Sequence, residues 1–326
     1  MQLPRRSLLT TALALCLVGS LGSLAIARTP DTLPNPVRNG FQPRSLAFFD
    51  GDHGIVAGTI ICPTCTRRRT AAISTTEDGG HTWSEPTTFG SAAASGVAVV
   101  PGGLDAWALV GHRLEHSGDG GATWSVLPKA GVSGPSFATA TSGWGIRRTT
   151  VASVLLVTSD GGATWGTGPD PCHPGARDAI FVTRTTIDDG WVVCGGGAAA
   201  GSSAQVVWKT TDGGTTWTRG FHGVAPGPVG YRFLDDGHGW RWHYNFADLF
   251  RTTDGGRTWH DLGPVGDVFV ADVWFVSDAH GFAIVRRGNG SSRLLTSTDS
   301  GASWSGVARF PGYVDTRFGN VPGAVS

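Results

Sequence analysis

The sequence predicts an all-β fold built from repeated units, and three features of the chain support this prediction. Glycine is very frequent, with 50 residues among 326, and tryptophan is abundant, with 13. Glycine turns and aromatic side chains are typical of many short strands, and no long stretch shows the periodicity of an amphipathic helix. The third feature is an eight-residue phrase, TTDGGTTW at 210–217, that returns in similar form along the chain.

The phrase occurs six times, and its copies divide the chain into units of similar length. Its aspartates stand between 41 and 52 residues apart, which is close to the spacing of propeller blades. The six aspartates are Asp78, Asp119, Asp160, Asp212, Asp254 and Asp299. The tryptophans that end the copies are Trp83, Trp124, Trp165, Trp217, Trp259 and Trp304.

A second phrase precedes each copy and completes the unit. It consists of an apolar strand, a turn rich in Asp or Gly, and a strand that opens with an aromatic residue or Ile, as in FLDDGHGWRWH at 233–243. One strand before the eight-residue phrase and one that its tryptophan begins bring each unit to four strands. The sequence therefore predicts a six-bladed β-propeller over 41–310, with a seventh blade assembled from both termini as the alternative.

The composition of the eight-residue phrase predicts a rigid turn. An Asp side chain can accept hydrogen bonds from N–H groups two residues further on, glycines permit positive φ, and the Ser or Thr hydroxyl can close the turn. The tryptophan is expected to bury its ring against the blade. One carboxylate per turn is far fewer than the six to eight oxygens that calcium takes, so we expect no metal and no cofactor.

These phrases resemble the Asp-box, or BNR, repeat of the sialidase superfamily. The chain resembles the photosystem II assembly-factor and sortilin-type propellers more than a true sialidase, and the motif is specific for fold rather than function. The resemblance implies that the Asp-boxes and the turns between first and second strands share a lower face. The turns between second and third strands, and the links between blades, then lie on the upper face, where such propellers bind ligands.

The ends of the chain predict export. Two arginines precede a long apolar run that ends in Ala-Ile-Ala, which is typical of a secretory signal peptide at 1–27. An uncleaved anchor is the alternative, and the export route stays open between the general and the twin-arginine pathways. No later stretch is apolar and long enough to span a bilayer. We expect a monomeric secreted or cell-envelope protein with an extension at 28–40 and a tail or closing strand at 311–326.

Four cysteines follow the signal segment, Cys62, Cys65, Cys172 and Cys194. An even number in an exported chain favours disulfides. A redox pair or half of a zinc site in CPTC is the alternative, but the strand-to-helix context and a second ligand pair are missing. We therefore interpret all four as disulfide cysteines. They lie near the two longest upper loops, CPTCTRRRT and GGGAAAGSSA, and we expect the second loop to be flexible.

The chain carries 25 basic and 25 acidic residues, a balance that argues against a nucleic-acid-binding protein. The assignment of turns to the two faces, which the resemblance implies, nevertheless places many aspartates in the lower turns and many arginines in the upper turns. Clustered arginines attract carboxylates, phosphates or sulfates, and solvated loop ends are the plain alternative. The upper arginines are Arg67, Arg68, Arg69, Arg113, Arg147, Arg148, Arg286 and Arg287.

The strand GWRWHYNF of the fifth unit adds candidate site residues. Alternation places Trp240 and Trp242 on one face as core aromatics, and Arg241 and His243 on the other. A charge between packed blades needs a partner, so one hypothesis is a buried structural ion pair with a neighbouring Asp. The other hypothesis is that Arg241, His243 and Tyr244 line the upper mouth of the channel.

The residues do not point to a particular reaction. A sialidase-like site needs a tyrosine beside a glutamate, yet the repeat register pairs none of the three tyrosines with one of the three glutamates. We favour an exported, non-catalytic propeller that binds an envelope or extracellular protein through its basic upper face. The alternatives are a sialidase-like glycoside hydrolase or lectin acting on acidic glycans, and a scaffold without a discrete site. The candidate ligand-binding residues are Arg67, Arg113, Arg147, Arg148, Arg241, His243, Tyr244, Arg286 and Arg287.

Overall fold

The computed structural model describes the chain between residues 40 and 311, with short gaps. The described ranges are 40–61, 69–90, 92–128, 131–149, 152–172, 178–199, 202–226, 228–244, 246–266 and 269–311. They belong to one compact unit and contain 24 strands and no helix. Within these ranges, accordingly, no helix is long and apolar enough to cross a membrane.

Each blade is a four-stranded antiparallel sheet whose strands follow one another in chain order. Blade 1 comprises β1 (Phe41–Phe48), β2 (Gly54–Ile61), β3 (Arg69–Thr76) and β4 (Thr87–Thr88), and blade 2 comprises β5 (Ala94–Val99), β6 (Ala106–Val110), β7 (Arg113–Ser117) and β8 (Ser125–Val126). Blade 3 comprises β9 (Ser133–Phe137), β10 (Gly143–Arg148), β11 (Ser153–Thr158) and β12 (Gly166–Thr167), and blade 4 comprises β13 (Asp178–Arg184), β14 (Asp189–Ala199), β15 (Ser202–Thr211) and β16 (Thr218–Pro226). Blade 5 comprises β17 (Val229–Phe233), β18 (Gly239–His243), β19 (Asp248–Thr252) and β20 (His260–Pro264), and blade 6 comprises β21 (Phe269–Phe275), β22 (Gly281–Arg286), β23 (Ser292–Ser297) and β24 (Ser305–Phe310).

The six sheets close into a ring, which confirms the six-bladed prediction. The first strand of each blade is innermost, and β1 packs beside both β5 of blade 2 and β21 of blade 6. The described residues form no seventh sheet. Because the ring closes on itself, each blade buries both faces of its sheet against neighbours and only short outer edges remain.

Stacked aromatic rings join several neighbouring blades. A second-strand ring lies parallel to the phenylalanine that ends the first strand of the next blade. The ring centroids are 3.5 Å apart for Trp107 and Phe137 and 3.6 Å apart for Trp240 and Phe275. Such pairs contribute about 0.5–1.5 kcal/mol beyond the apolar area they bury. The second-strand aromatics therefore hold the blades together.

The Asp-box tryptophans pack against the hydrophobic core, as expected, but none of them is fully buried. All six are only partly buried, whereas the second-strand residues Trp107, Trp144, Trp191 and Trp240 are at most 1% exposed. The Asp-box tryptophans lie directly before the fourth strands in five blades, and four residues before β4 in blade 1. The fully buried aromatic core thus comes from the second strands, and the Asp-box tryptophans cover its lower edge.

Candidate functional site

The Asp-box is a closed hydrogen-bonded turn, shown here for blade 2. Asp119 Oδ1 accepts hydrogen bonds from the Thr123 N–H at 2.8 Å and from the Ser117 hydroxyl at 2.8 Å. Its Oδ2 accepts the Thr123 hydroxyl at 2.6 Å, and the Ser117 oxygen accepts the Gly121 N–H at 2.8 Å. The aspartate therefore bonds an N–H four residues further on, and the expectation of two residues was wrong.

The Asp-boxes and the turns between first and second strands share one end of the propeller. In each blade, the residue after the Asp-box aspartate donates its N–H to a carbonyl of that turn, for example Gly120 to Leu104 at 2.9 Å and Gly161 to Thr141 at 2.8 Å. This end is the lower face that the resemblance implied. Every carboxylate of the six Asp-boxes is engaged in its own turn, so the boxes are structural elements.

The opposite, upper end of the channel opens into a cavity of about 760 Å³ to which all six blades contribute. Several lining residues are contributed by β-bulges of the first strands, including Arg44, Ser95 and Ile180. A bulge inserts an extra residue and re-aims side chains away from strict alternation. The channel wall is consequently less regular than the alternation of the strands would predict.

Arginine is the dominant charged residue of this cavity, which we call the upper cavity. Its lining contains Arg44, Arg148, Arg232 and Arg286, against one carboxylate, Asp272. Burial and the like charge of Arg44 lower the pKa of Arg286. The Arg286 Nη2 donates to the Pro43 carbonyl at 3.1 Å, which orients the guanidinium. Two guanidinium groups that repel each other at the rim of a cavity favour the binding of an anion between them.

The single carboxylate is already neutralised by its surroundings. Asp272 Oδ2 accepts the Ser45 hydroxyl at 2.8 Å and the Leu46 N–H at 3.0 Å. Its Oδ1 lies 3.8 Å from the Arg232 Nη2, and the Arg232 guanidinium stacks over Trp274 at 3.9 Å. Burial raises the pKa of Asp272, against the opposing effect of Arg232. Among the described lining residues, the remaining arginines therefore face a ligand without a competing free carboxylate.

Tyr244 lines the same cavity and lies close enough to Asp272 and Arg232 to feel their charges. Burial raises the pKa of Tyr244, and the Asp272 carboxylate raises it further. The phenol therefore stays protonated at neutral pH. A protonated tyrosine can donate a hydrogen bond to an anion, but it is a weak nucleophile.

The structure brings only some of the predicted site residues together. Arg148, Tyr244 and Arg286 line the upper cavity. Arg147 and Arg287 lie beside them in the chain but not among the lining residues. Arg113 instead pairs with the buried Glu115, at 3.4 Å. Arg67 lies outside the described residues, as do Cys62 and Cys65.

Neither hypothesis for Arg241 fits the structure. Its guanidinium lies over the rings of Phe250 at 4.4 Å, Phe221 at 4.9 Å and Trp259 at 5.4 Å, and Arg241 is not among the lining residues of the upper cavity. The cation is thus accommodated by aromatic rings between blades 4 and 5 rather than by an Asp.

His243 is also turned away from the upper cavity, whose lining does not include it. Its Nδ1 lies 3.6 Å from Asp248, and burial lowers its pKa despite this carboxylate. Alternation along β18 directs Trp242 and the following Tyr244 to the cavity, whereas His243 is not among its described lining residues.

Two residues of the upper cavity, Arg232 and Asp272, escaped the sequence analysis. Both lie in first strands, β17 and β21, whose other residues are mainly apolar. A charged residue inside an otherwise apolar innermost strand of a propeller was the signal that could have identified them. Arg44 in β1 carries the same signal.

Blade 4 differs from the other blades in the length of its upper end. β14 and β15 pair as far as Ala199 and Ser202, so the segment expected to be a flexible loop is an extended hairpin. A disulfide joins Cys172, in the link before blade 4, to Cys194 in β14, with a Cα–Cα distance of 5.5 Å. The disulfide fastens this link to the base of the hairpin.

No protein-family model and no curated protein matches this chain. Among solved structures, YCF48 bound to a D1 peptide is 20% identical over 83% of this chain and 82% of that chain, with a TM-score of 0.51. YCF48 from Cyanidioschyzon merolae is 18% identical over 84% and 87%, with a TM-score of 0.49. TolB from Acinetobacter baumannii is 14% identical over 79% of this chain and 63% of that chain, with a TM-score of 0.54. The chain is a six-bladed β-propeller that resembles YCF48 in fold.

Proposed function

We propose that this chain is an exported, non-catalytic propeller that binds an acidic segment of a protein partner at the upper cavity. The observation that carries the proposal is the pair Arg44 and Arg286, two like-charged guanidinium groups that line one cavity with Arg148. Among the described residues, Asp272 is the only carboxylate in that lining, and it is engaged by Ser45 and Leu46. A cavity with an excess of arginine is suited to carboxylate groups.

A protein segment is preferred over a small anion for two reasons. All six blades contribute to the cavity, whose volume of about 760 Å³ is large enough for several residues of an extended chain. A propeller of the same fold, YCF48, has been solved with a peptide bound. Export is supported by the signal-like N-terminus and by the Cys172–Cys194 disulfide, because disulfides persist in oxidising compartments.

Hydrolysis or lectin-like recognition of acidic glycans is the second candidate. Tyr244 lies near Asp272 in the arginine-rich cavity. A sialidase-like site would likewise place a tyrosine nucleophile beside a carboxylate. The raised pKa of Tyr244 opposes formation of the phenolate, which is why we place hydrolysis second. Hydrolysis of an aryl sialoside by the wild type, and its loss in Tyr244→Phe, would establish the second candidate instead.

A crosslinking pull-down from the envelope of the exporting cell tests the proposal. We expect one protein near stoichiometric amounts with the wild type and its loss with the double reversal Arg148→Glu and Arg286→Glu. The matched control reverses Arg147 and Arg287, which stand next to these residues but do not line the cavity. Equal loss in both variants would indicate a diffuse charge effect, and retention in both would favour the scaffold without a discrete site.

A further inference from the structure

Three strongly exposed apolar side chains stand at the upper ends of consecutive blades. Phe269 at the start of blade 6 is 44% exposed, Phe246 in the upper turn of blade 5 is 49% exposed, and Val224 in β16 of blade 4 is 67% exposed. A single exposed apolar side chain is ordinary on a protein surface, but several on adjacent elements mark an interaction surface. We call these three residues the apolar arc.

The apolar arc continues directly from the upper cavity. Phe269 lines the cavity and is the cross-strand partner of Arg286 in the β21–β22 pair. Cross-strand partners have Cβ atoms about 4.5–5.5 Å apart, so an exposed aromatic ring stands beside one of the cavity arginines. Phe246 follows two residues after Tyr244, which also lines the cavity.

Most arginines and most exposed apolar side chains of the upper end lie on different blades, although Arg232 of blade 5 also lines the cavity. Arg44, Arg113 and Arg148 stand at the upper ends of blades 1, 2 and 3. The segments between the second and third strands of blades 4 and 5 contain no arginine in the sequence. The exposed apolar side chains Val224 and Phe246 lie on these two blades. Blade 6 carries both Arg286 and Phe269 and so forms the boundary between the two sectors.

We propose that the bound segment of the partner is amphipathic, with acidic residues on the cavity arginines and apolar side chains packed along the arc over blades 6, 5 and 4. This inference rests on the proposed function and adds the chemistry that selects the partner. A purely acidic ligand would leave the arc exposed to water, whereas arginine beside aromatic residues is the composition of protein–protein interface centres. The acidic part supplies attraction at long range, and the apolar part supplies contact area.

Two synthetic peptides of about twelve residues test the inference by fluorescence anisotropy. The polar probe carries three glutamates followed by Ser and Gly, and the amphipathic probe replaces three of those serines by leucine. We expect the amphipathic probe to bind the wild type about tenfold more tightly, because packing a few apolar side chains on the arc is worth at least about 1.4 kcal/mol. Val224→Ser with Phe246→Ser should remove most of this tenfold difference and leave binding of the polar probe unchanged, because neither residue is among the lining residues of the cavity.

The control variant replaces Leu104 and Ile187 by serine, because these residues are comparably exposed, at 61% and 56%, but lie in lower turns. It should retain the tenfold difference, and unfolding midpoints should show that both variants fold.

Equal affinity of the two probes for the wild type would overturn the inference while leaving the proposed function intact. Failure of both probes to bind would instead contradict the proposed function. Stronger binding of the protein to phosphatidylglycerol vesicles than to the amphipathic probe, lost in the Val224 and Phe246 variant, would replace the protein segment by a lipid surface.

Discussion

The indole Nε1 of Trp107 in blade 2 donates a hydrogen bond of 2.8 Å to the carbonyl of Gly161 in the Asp-box of blade 3. The same bond runs from Trp191 to Gly255 at 3.0 Å and from Trp240 to Ser300 at 2.9 Å. The Asp-boxes of blades 3, 5 and 6 thus close their own turns and also receive a donor from the preceding blade. The repeated motif therefore contributes to blade-to-blade packing as well as to local turn structure.

Trp107→Phe should lower the free energy of unfolding by about 1 kcal/mol more than Trp144→Phe. Both indoles are fully buried, but within the described residues the Nε1 of Trp144 has no hydrogen-bond partner. The two variants lose similar ring volume, so their difference reports the lost hydrogen bond, worth about 0.5–1.5 kcal/mol. Urea denaturation measures it, and equal losses would show that the interblade bond contributes nothing.

The stability of the propeller should fall as the pH drops from about 4 to about 2. Hydrogen bonds from the hydroxyl and N–H of Thr164 lower the pKa of Asp160 to about 2, and the corresponding threonines act alike on Asp119 and Asp212. Because the folded pKa lies below the unfolded value of 3.8, the stabilisation is fully present above that value and is lost as the carboxylates take up protons.

Unfolding free energies measured across this pH window check the prediction. Asp160→Asn should reduce the slope of the unfolding free energy against pH, by an amount that corresponds to at most one bound proton. The aspartates of the other Asp-boxes should continue to titrate. A variant whose slope equals that of the wild type would show that the Asp160 carboxylate does not contribute to the acid sensitivity.

Ser300→Gly should stabilise the protein by up to about 1 kcal/mol. Ser300 has a φ of +64° in the sixth Asp-box, at the position where the other five boxes have glycine. A side chain in this left-handed region is strained, and glycine removes the strain. The reverse change in blade 3, Gly161→Ser, should cost about 1–2 kcal/mol, because its Cβ would come within 2.9 Å of the Ala140 carbonyl oxygen. Thermal unfolding should therefore shift in opposite directions for the two variants.

Arg241→Met should change the free energy of unfolding by less than about 2 kcal/mol. The guanidinium is held by aromatic rings, and its Nε and Nη1 have no hydrogen-bond partner among the described residues. Cation–π contacts contribute up to about 2 kcal/mol, whereas breaking a buried ion pair costs about 3–5 kcal/mol. A loss in the higher range, measured by denaturant unfolding, would support the ion pair predicted from sequence and contradict the aromatic environment.

The site was predicted from the sequence less completely than the fold. Arg148 and Arg286 could be assigned to the upper end because both stand at the ends of second strands, and the repeat fixes where those strands end. Arg232 and Asp272 could not be paired, because they lie 40 residues apart in different blades and meet only when blades 5 and 6 pack. Alternation along β18 also predicts which side of the strand Arg241 occupies. It does not predict that Phe221 of the neighbouring blade lies next to the Arg241 guanidinium on that side.

The sequence by itself determined the six units, their four strands and the Asp-box turns, because each is specified by residues close together in the chain. Aspartate, glycine and hydroxyl side chains within eight residues satisfy one another locally. The closure of the ring decided which charges share the upper cavity, since that depends on side chains from six blades converging on one axis. It also decided that Arg286 lies near Arg44 across the junction of blades 6 and 1, whereas Arg113 pairs with Glu115 of its own strand. The neighbours of Arg286 come from β1, a strand far away in the chain, and only the packing of blades 6 and 1 selects them.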